Sequence, residues 1–154
     1  AKYKLVLNNV KTKMVEFSQK KVQPGIPQGT FDFLGFTFYW GKTRNGRIIP
    51  KLKTSGKTMR NKLAKVTKWI KETRSRIKLK ELWKTFCAKL RGHSHYYGVS
   101  FNSEEIQKFS YEATRIVFKW LNRRSQKKSF TWEKFRCFKE RFPLPRARIY
   151  HHLF

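Results

Sequence analysis

From residue 57 onward the apolar positions fall at helical spacing, and before it they do not. At about 100° per residue, Met59, Leu63, Val66 and Ile70 lie within about 60° of one another, which predicts a helix over 57–74 with one face to bury. Leu79, Leu82, Phe86 and Leu90 make a second stripe. A third runs through Ile106, Phe109, Ala113, Ile116, Val117 and Trp120, opened by Asn102 and Glu105 at the spacing of a capping box. A short last helix starts near Thr131, buries Trp132, Phe135, Phe138 and Phe142, and is stopped by Pro143 and Pro145. The first 55 residues read as strands instead. Residues 4–7 and 13–17 are short extended runs parted by Asn8-Asn9, and 23–29 is a loop by its Pro and Gly content. Residues 31–40 put large apolar side chains on both alternating faces, which predicts one strand covered on both sides. Asn45-Gly46 signals a hairpin, 47–53 is the returning strand, and Pro50 places that strand at an edge. The expected fold class is α+β, with a small antiparallel sheet followed by a bundle of three or four helices. Three units are expected: β-rich 1–55, helical 56–142, and a basic, Pro-containing tail at 143–154.

Charge changes this picture most. The 154 residues hold 37 Lys and Arg against 9 Asp and Glu, a formal net charge of +28. With 14 Phe, 6 Tyr and 5 Trp, the chain is far too apolar for a disordered basic tail. Such a charge repels itself unless an anion neutralises it, and nucleic acid is the usual anion at this scale. No membrane partner is expected, because the chain has no run of about 20 apolar residues and no signal peptide opens it. The cations are unevenly placed: 51–100 carry 15 against 2 acids, and 121–154 carry 10 against 2. Residues 101–120 carry three of each. The third helix is therefore expected to pack, and the segments on either side of it to make contacts.

The acids exclude one class of chemistry. Asp32 is the only Asp, whereas two-metal nucleases and polymerases need at least two converging carboxylates. Cys87 and Cys137 give neither metal-ligand spacing nor a disulfide framework, which suits a reducing compartment. His93 and His95 have no third ligand spaced to complete a metal site. No catalytic residue, metal ligand or cofactor is expected in the chain.

Binding candidates are plentiful by contrast. Lys57, Arg60, Lys65, Lys68 and Lys71 share an arc of about 140° on which Glu72 is the one acid, so they repel one another until a phosphate backbone removes that cost. Arg91, His93, His95, Tyr96 and Tyr97 combine planar and hydrogen-bonding groups beside Gly92 and Gly98, as contacts to unstacked bases require. One of the two tyrosines is expected to face inward. Arg123, Arg124, Lys127 and Lys128 lie in a loop by composition, and Arg146 and Arg148 in a tail kept extended by proline. Both groups are expected phosphate contacts.

Four separated segments resemble one family in order. Leu7-Asn8, Lys11-Thr12 and the run to Phe17 resemble the end of the palm in reverse transcriptases of the group II intron type. Gly29-Thr30-Phe31-Asp32-Phe33-Leu34-Gly35-Phe36-Thr37-Phe38 is similar to the strand leading from that palm into the thumb. Lys89-Leu90-Arg91-Gly92-His93 and Tyr96-Tyr97-Gly98 resemble the centre of the maturase domain, called domain X. Trp120-Leu121-Asn122-Arg123-Arg124-Ser125-Gln126, Thr131-Trp132 and Pro143-Leu144-Pro145-Arg146 continue the likeness. The resemblance implies the C-terminal part of such an enzyme, of the bacterial, cytoplasmic type without an endonuclease domain. The family's Tyr-Ala-Asp-Asp catalytic segment belongs upstream of residue 1.

What it implies for function is binding of structured RNA, a group II intron held in its splicing-competent shape, with the thumb also positioning a primer–template duplex. It further implies an N-terminal reverse transcriptase chain as partner, with Mg2+ confined to that palm and to the RNA. Two alternatives stand beside it: a polymerase subunit active only with a separate palm, and a general basic RNA chaperone.

Overall fold

The computed structural model describes residues 14, 15, 17, 18, 29–123 and 130–153. The expected strand at 4–7 lies outside the described residues, as does the loop at 23–29 except for Gly29. Of the expected strand at 13–17, Met14, Val15 and Phe17 are described and are not in a strand; Phe17 packs its ring 4.6 Å from Trp40.

The aromatic run at 31–40 is not one strand. It is divided by a two-residue turn at Leu34 (φ 50°) and Gly35 (φ 84°) into β1 (Phe31–Phe33) and β2 (Phe36–Lys42). Positive φ at both central residues matches the twist of an antiparallel pair, and glycine adopts it without steric cost. Phe31 faces Phe38 across the pair, with their rings 4.8 Å apart and stacked. Asp32 sits opposite Thr37 and accepts a hydrogen bond from its hydroxyl. The second hairpin forms around Gly46 and returns as β3 (Ile48–Thr54). In the order β1-β2-β3, β3 is an edge, where Pro50 needs no partner for its missing N–H.

Ser55 then ends the sheet and starts the helices, its hydroxyl accepting from the Thr58 amide at 3.3 Å. The described residues hold four helices: α1 (Gly56–Thr73), α2 (Leu79–Tyr97), α3 (Ser103–Leu121) and α4 (Trp132–Arg141). An α+β fold results. Met59, Val66 and Ile70 of α1 meet Leu82, Phe86 and Leu90 of α2, and Phe109, Ala113 and Val117 of α3, in one core that Phe135 of α4 completes. Each large side chain buried there contributes about 1.5–3 kcal/mol. Phe36 and Leu52 of the sheet join Tyr97, Val99 and Ile106 in a smaller core.

Asn102 does not form the expected capping box. Its side chain makes no cap bond to α3 and is wholly buried. The Oδ1 atom accepts from the Thr54 amide at 2.7 Å, while Nδ2 donates to Thr54 Oγ1 at 2.9 Å and to the Tyr97 carbonyl at 2.8 Å. Satisfying buried backbone groups outweighs a cap that water could replace. The end of β3, the end of α2 and the start of α3 are thereby held at one point. Beyond α4, residues 143–151 return to α2 as an extended strap. The Gly98 carbonyl accepts from the amides of Tyr150 (2.7 Å) and His151 (2.9 Å). A Cβ at Gly98 would lie 2.3 Å from the Ser94 carbonyl oxygen, so only glycine fits.

Candidate nucleic-acid interface

The apolar stripe of α1 is buried, which forces its other face outward. Lys57, Arg60, Lys65, Lys68 and Lys71 are all exposed. The first turn of α1 carries no acid, so Lys57 faces the positive end of the helix dipole uncompensated. Among the described residues a single ion pair forms within 4 Å, Arg115 with Glu112 at 3.9 Å. None of the α1 cations is therefore ion-paired, and the one acid on their face is the exposed Glu72, a turn beyond Lys68.

Between α1 and α2 lies a groove of about 280 Å³. Lys62 and Lys65 line it from α1, and Lys89, Gly92 and Tyr96 from α2, with Val66 and Phe109 also in its wall. Nothing stands within 4 Å of the Cβ position at Gly92, so the absent side chain leaves the groove open. Tyr96 is 54% exposed, and its hydroxyl donates to the Leu34 carbonyl at 3.2 Å. Beneath it His93 is only 6% exposed, its ring stacked 3.7 Å from Phe109. Neither ring nitrogen has a hydrogen-bond partner. Burial, and then the charge of Lys62, lower the His93 pKa to about 4, so the ring is neutral at pH 7.

The five candidates at 91–97, expected to act together on unstacked bases, do not share one surface. Helix α2 runs unbroken to Tyr97, because Gly92 lies on its open side and costs only about 1 kcal/mol there. The helix parts the five recognition candidates. His93 and Tyr97 point into the core. Arg91 and Tyr96 are exposed but five residues apart, which is about 140° around the helix, so they are not side by side. His95 stacks on Tyr150 of the strap at 4.1 Å. Of the two tyrosines one faces inward and one outward, as the sequence suggests.

Arg123 is exposed, with its guanidinium over the ring of Trp120 at 5.1 Å. Arg124, Lys127 and Lys128 lie outside the described residues. Arg146 and Arg148 are exposed on the strap. Sequence reasoning passed over Lys62 and Lys89. Lys89 precedes Tyr96 by seven residues, two turns, and so shares its face once the segment is helical. Among the described residues, no group of three or more His, Cys, Asp or Glu could hold a metal ion, and no helix is long and apolar enough to cross a membrane.

Comparison with known families matches the model for "Group II intron, maturase-specific domain" to residues 59–138, from the first turn of α1 into α4. No curated protein and no solved structure gives a significant match.

Proposed function

The chain belongs to the family of the group II intron maturase-specific domain, matched over just more than half its length, and we propose on that premise that it grips folded intron RNA by its phosphates through α1 and α2. Membership supports a maturase role in group II intron splicing and, at that coarse level, interaction with the intron RNA. The observation that carries the finer reading is the exposed row Lys57, Arg60, Lys65, Lys68 and Lys71, which has no ion-paired acid. A row of cations of this kind gains from displacing condensed counterions along a phosphate backbone. Lys62 and Lys89 extend the row across the groove, and the exposed Arg146 and Arg148 of the strap and Arg123 beyond α3 provide further phosphate contacts elsewhere on the surface.

Discrimination between RNAs falls to the exposed planar groups. Phosphate contacts position a protein without reading sequence, whereas stacking and base-edge contacts report which bases are unpaired. Tyr96 in the groove and Arg91 on the adjoining face take that role, while His93 and Tyr97 support them from below. In a longer polypeptide, or beside a separate reverse transcriptase chain that binds Mg2+, the same α1 face would hold a primer–template duplex.

Competition binding at physiological salt tests this reading. Intron RNA should displace itself far better than transfer RNA of equal length does. The double variant Arg91→Ala/Tyr96→Ala, folded by circular dichroism, should lose more affinity for the intron than for the competitor. Equal affinity of the unaltered protein for both RNAs would instead mark a general RNA chaperone.

A further inference from the structure

Helix α3 has no net charge, yet beyond Lys108 and Glu112 in its middle the charge is biased toward cations at its end. Glu104 and Glu105 stand in its first turn, whereas Arg115, Lys119 and, just past its end, Arg123 follow at intervals of four. That spacing puts the three cations on one face. Together with Glu112, which pairs with Arg115 at 3.9 Å, they line a cavity of about 770 Å³ between the end of α3 and the start of α4, away from the α1–α2 groove. Lys119 and Arg123 are left without an ion-paired acid among the described residues. The apolar part of its wall includes Phe118, Phe130 and Trp132. Trp132 is 57% exposed, and its indole stacks on Phe118 with centroids 4.0 Å apart, which holds the ring ready at little entropic cost.

Arg123 also belongs to a second cluster. Its guanidinium, that of Arg74 (4.7 Å) and the ammonium of Lys71 (4.8 Å) all converge on the ring of Trp120. None of the three has an ion-paired acid among the described residues. Arg74 Nη1 is buried without an acceptor, and Asn122 Oδ1, on the cavity side, is buried without a donor. A ring quadrupole alone does not offset three like charges brought together. An anion with oxygen acceptors would relieve both the repulsion and the orphaned guanidinium.

We propose that this corner binds an unpaired RNA nucleotide, with its phosphate held by Lys71, Arg74 and Arg123 around Trp120 and its base stacked on Trp132 in the cavity. The inference rests on the reading that the ligand is RNA, and it adds a second contact surface to the α1–α2 groove. The cavity is open, and its cations outnumber its one acid, Glu112, as a strand passing through would need; an exposed indole has no preference among bases.

The test uses the whole chain with a single-stranded oligoadenylate, the same oligomer carrying abasic positions, and an RNA duplex of equal length. Trp132→Ala should weaken the single strand about tenfold and leave the duplex unchanged, while Trp132→Phe retains most of the affinity. The abasic oligomer should not respond to Trp132→Ala. Arg74→Gln/Arg123→Gln should weaken the intact and abasic single strands alike. If Trp132→Ala leaves single-strand binding intact, or weakens single strand and duplex equally, the site is refuted while RNA binding through α1 stands. Displacement by free AMP in preference to the oligomer would assign the cavity to a mononucleotide and overturn the proposal. Failure of the unaltered chain to bind any RNA would sink the functional reading and this site together.

Discussion

At two single residues, His93 and Asn102, the local sequence points to a role that the fold does not give them. His93 reads as a candidate contact because histidine, tyrosine and glycine cluster around it, yet the α2 register turns it onto Phe109. Its pKa near 4 lies below the ordinary value of 6.5, so on acidification the unfolded chain takes up the proton first. Stability should be full above about pH 6.5 and fall as pH drops toward about 4, by up to about 3 kcal/mol. His93→Phe keeps the stack on Phe109 and removes the titrating group. Urea unfolding at pH 7 and pH 4.5 should therefore show a smaller acid loss in the variant; equal losses would mean His93 finds a proton acceptor in the fold. Asn102 is illegible for a related reason. Its neighbours in sequence suggest a helix cap, and nothing local tells that Thr54, 48 residues away, will take its hydrogen bonds.

Elements were far more legible than their contacts. The stripes at 59–70, 79–90 and 106–120 mark α1, α2 and α3, because one buried face per helix writes a period of 3.6 into the chain. The aromatic run at 31–40 hid its turn, since Leu34 adopts a conformation that leucine rarely takes and Gly35 was the sole local sign. Charge summed by segment foretold that α3 packs, which it does, but gave no sign of how its charges are arranged. A zero total over α3 concealed cations gathered at its end, where they complement the helix dipole. For α1 the pattern and the exposure agree, which makes a quantitative test possible. Lys65→Gln/Lys68→Gln should weaken intron and transfer RNA equally and reduce the slope of log affinity against log salt by about 0.7–0.9 per lost contact. A loss confined to one RNA would show that α1 reads more than phosphate.

At the scale of the whole molecule, net charge sets two opposed responses to salt. Screening reduces the self-repulsion of a +28 chain, so the thermal midpoint should rise with salt. Counterion competition works against RNA, whose affinity should fall about a thousandfold between about 50 and 200 mM if several phosphates are held. Thermal unfolding and fluorescence anisotropy on one salt series would measure both, and an affinity change under tenfold would remove the case for a multi-phosphate interface. Both expectations follow from composition alone, whereas the placing of the cations on α1 and around Trp120 comes from the structure. Asn102 fastens β3, α2 and α3 at a single buried junction, and the strap closes over the end of α2. The hairpins and the cationic face are thus tied to one another through that junction. On the proposed reading, that junction would act like the fixed jaws of a gauge: the RNA gripped would be one whose phosphates already lie at the right separation, and shape would become the thing measured.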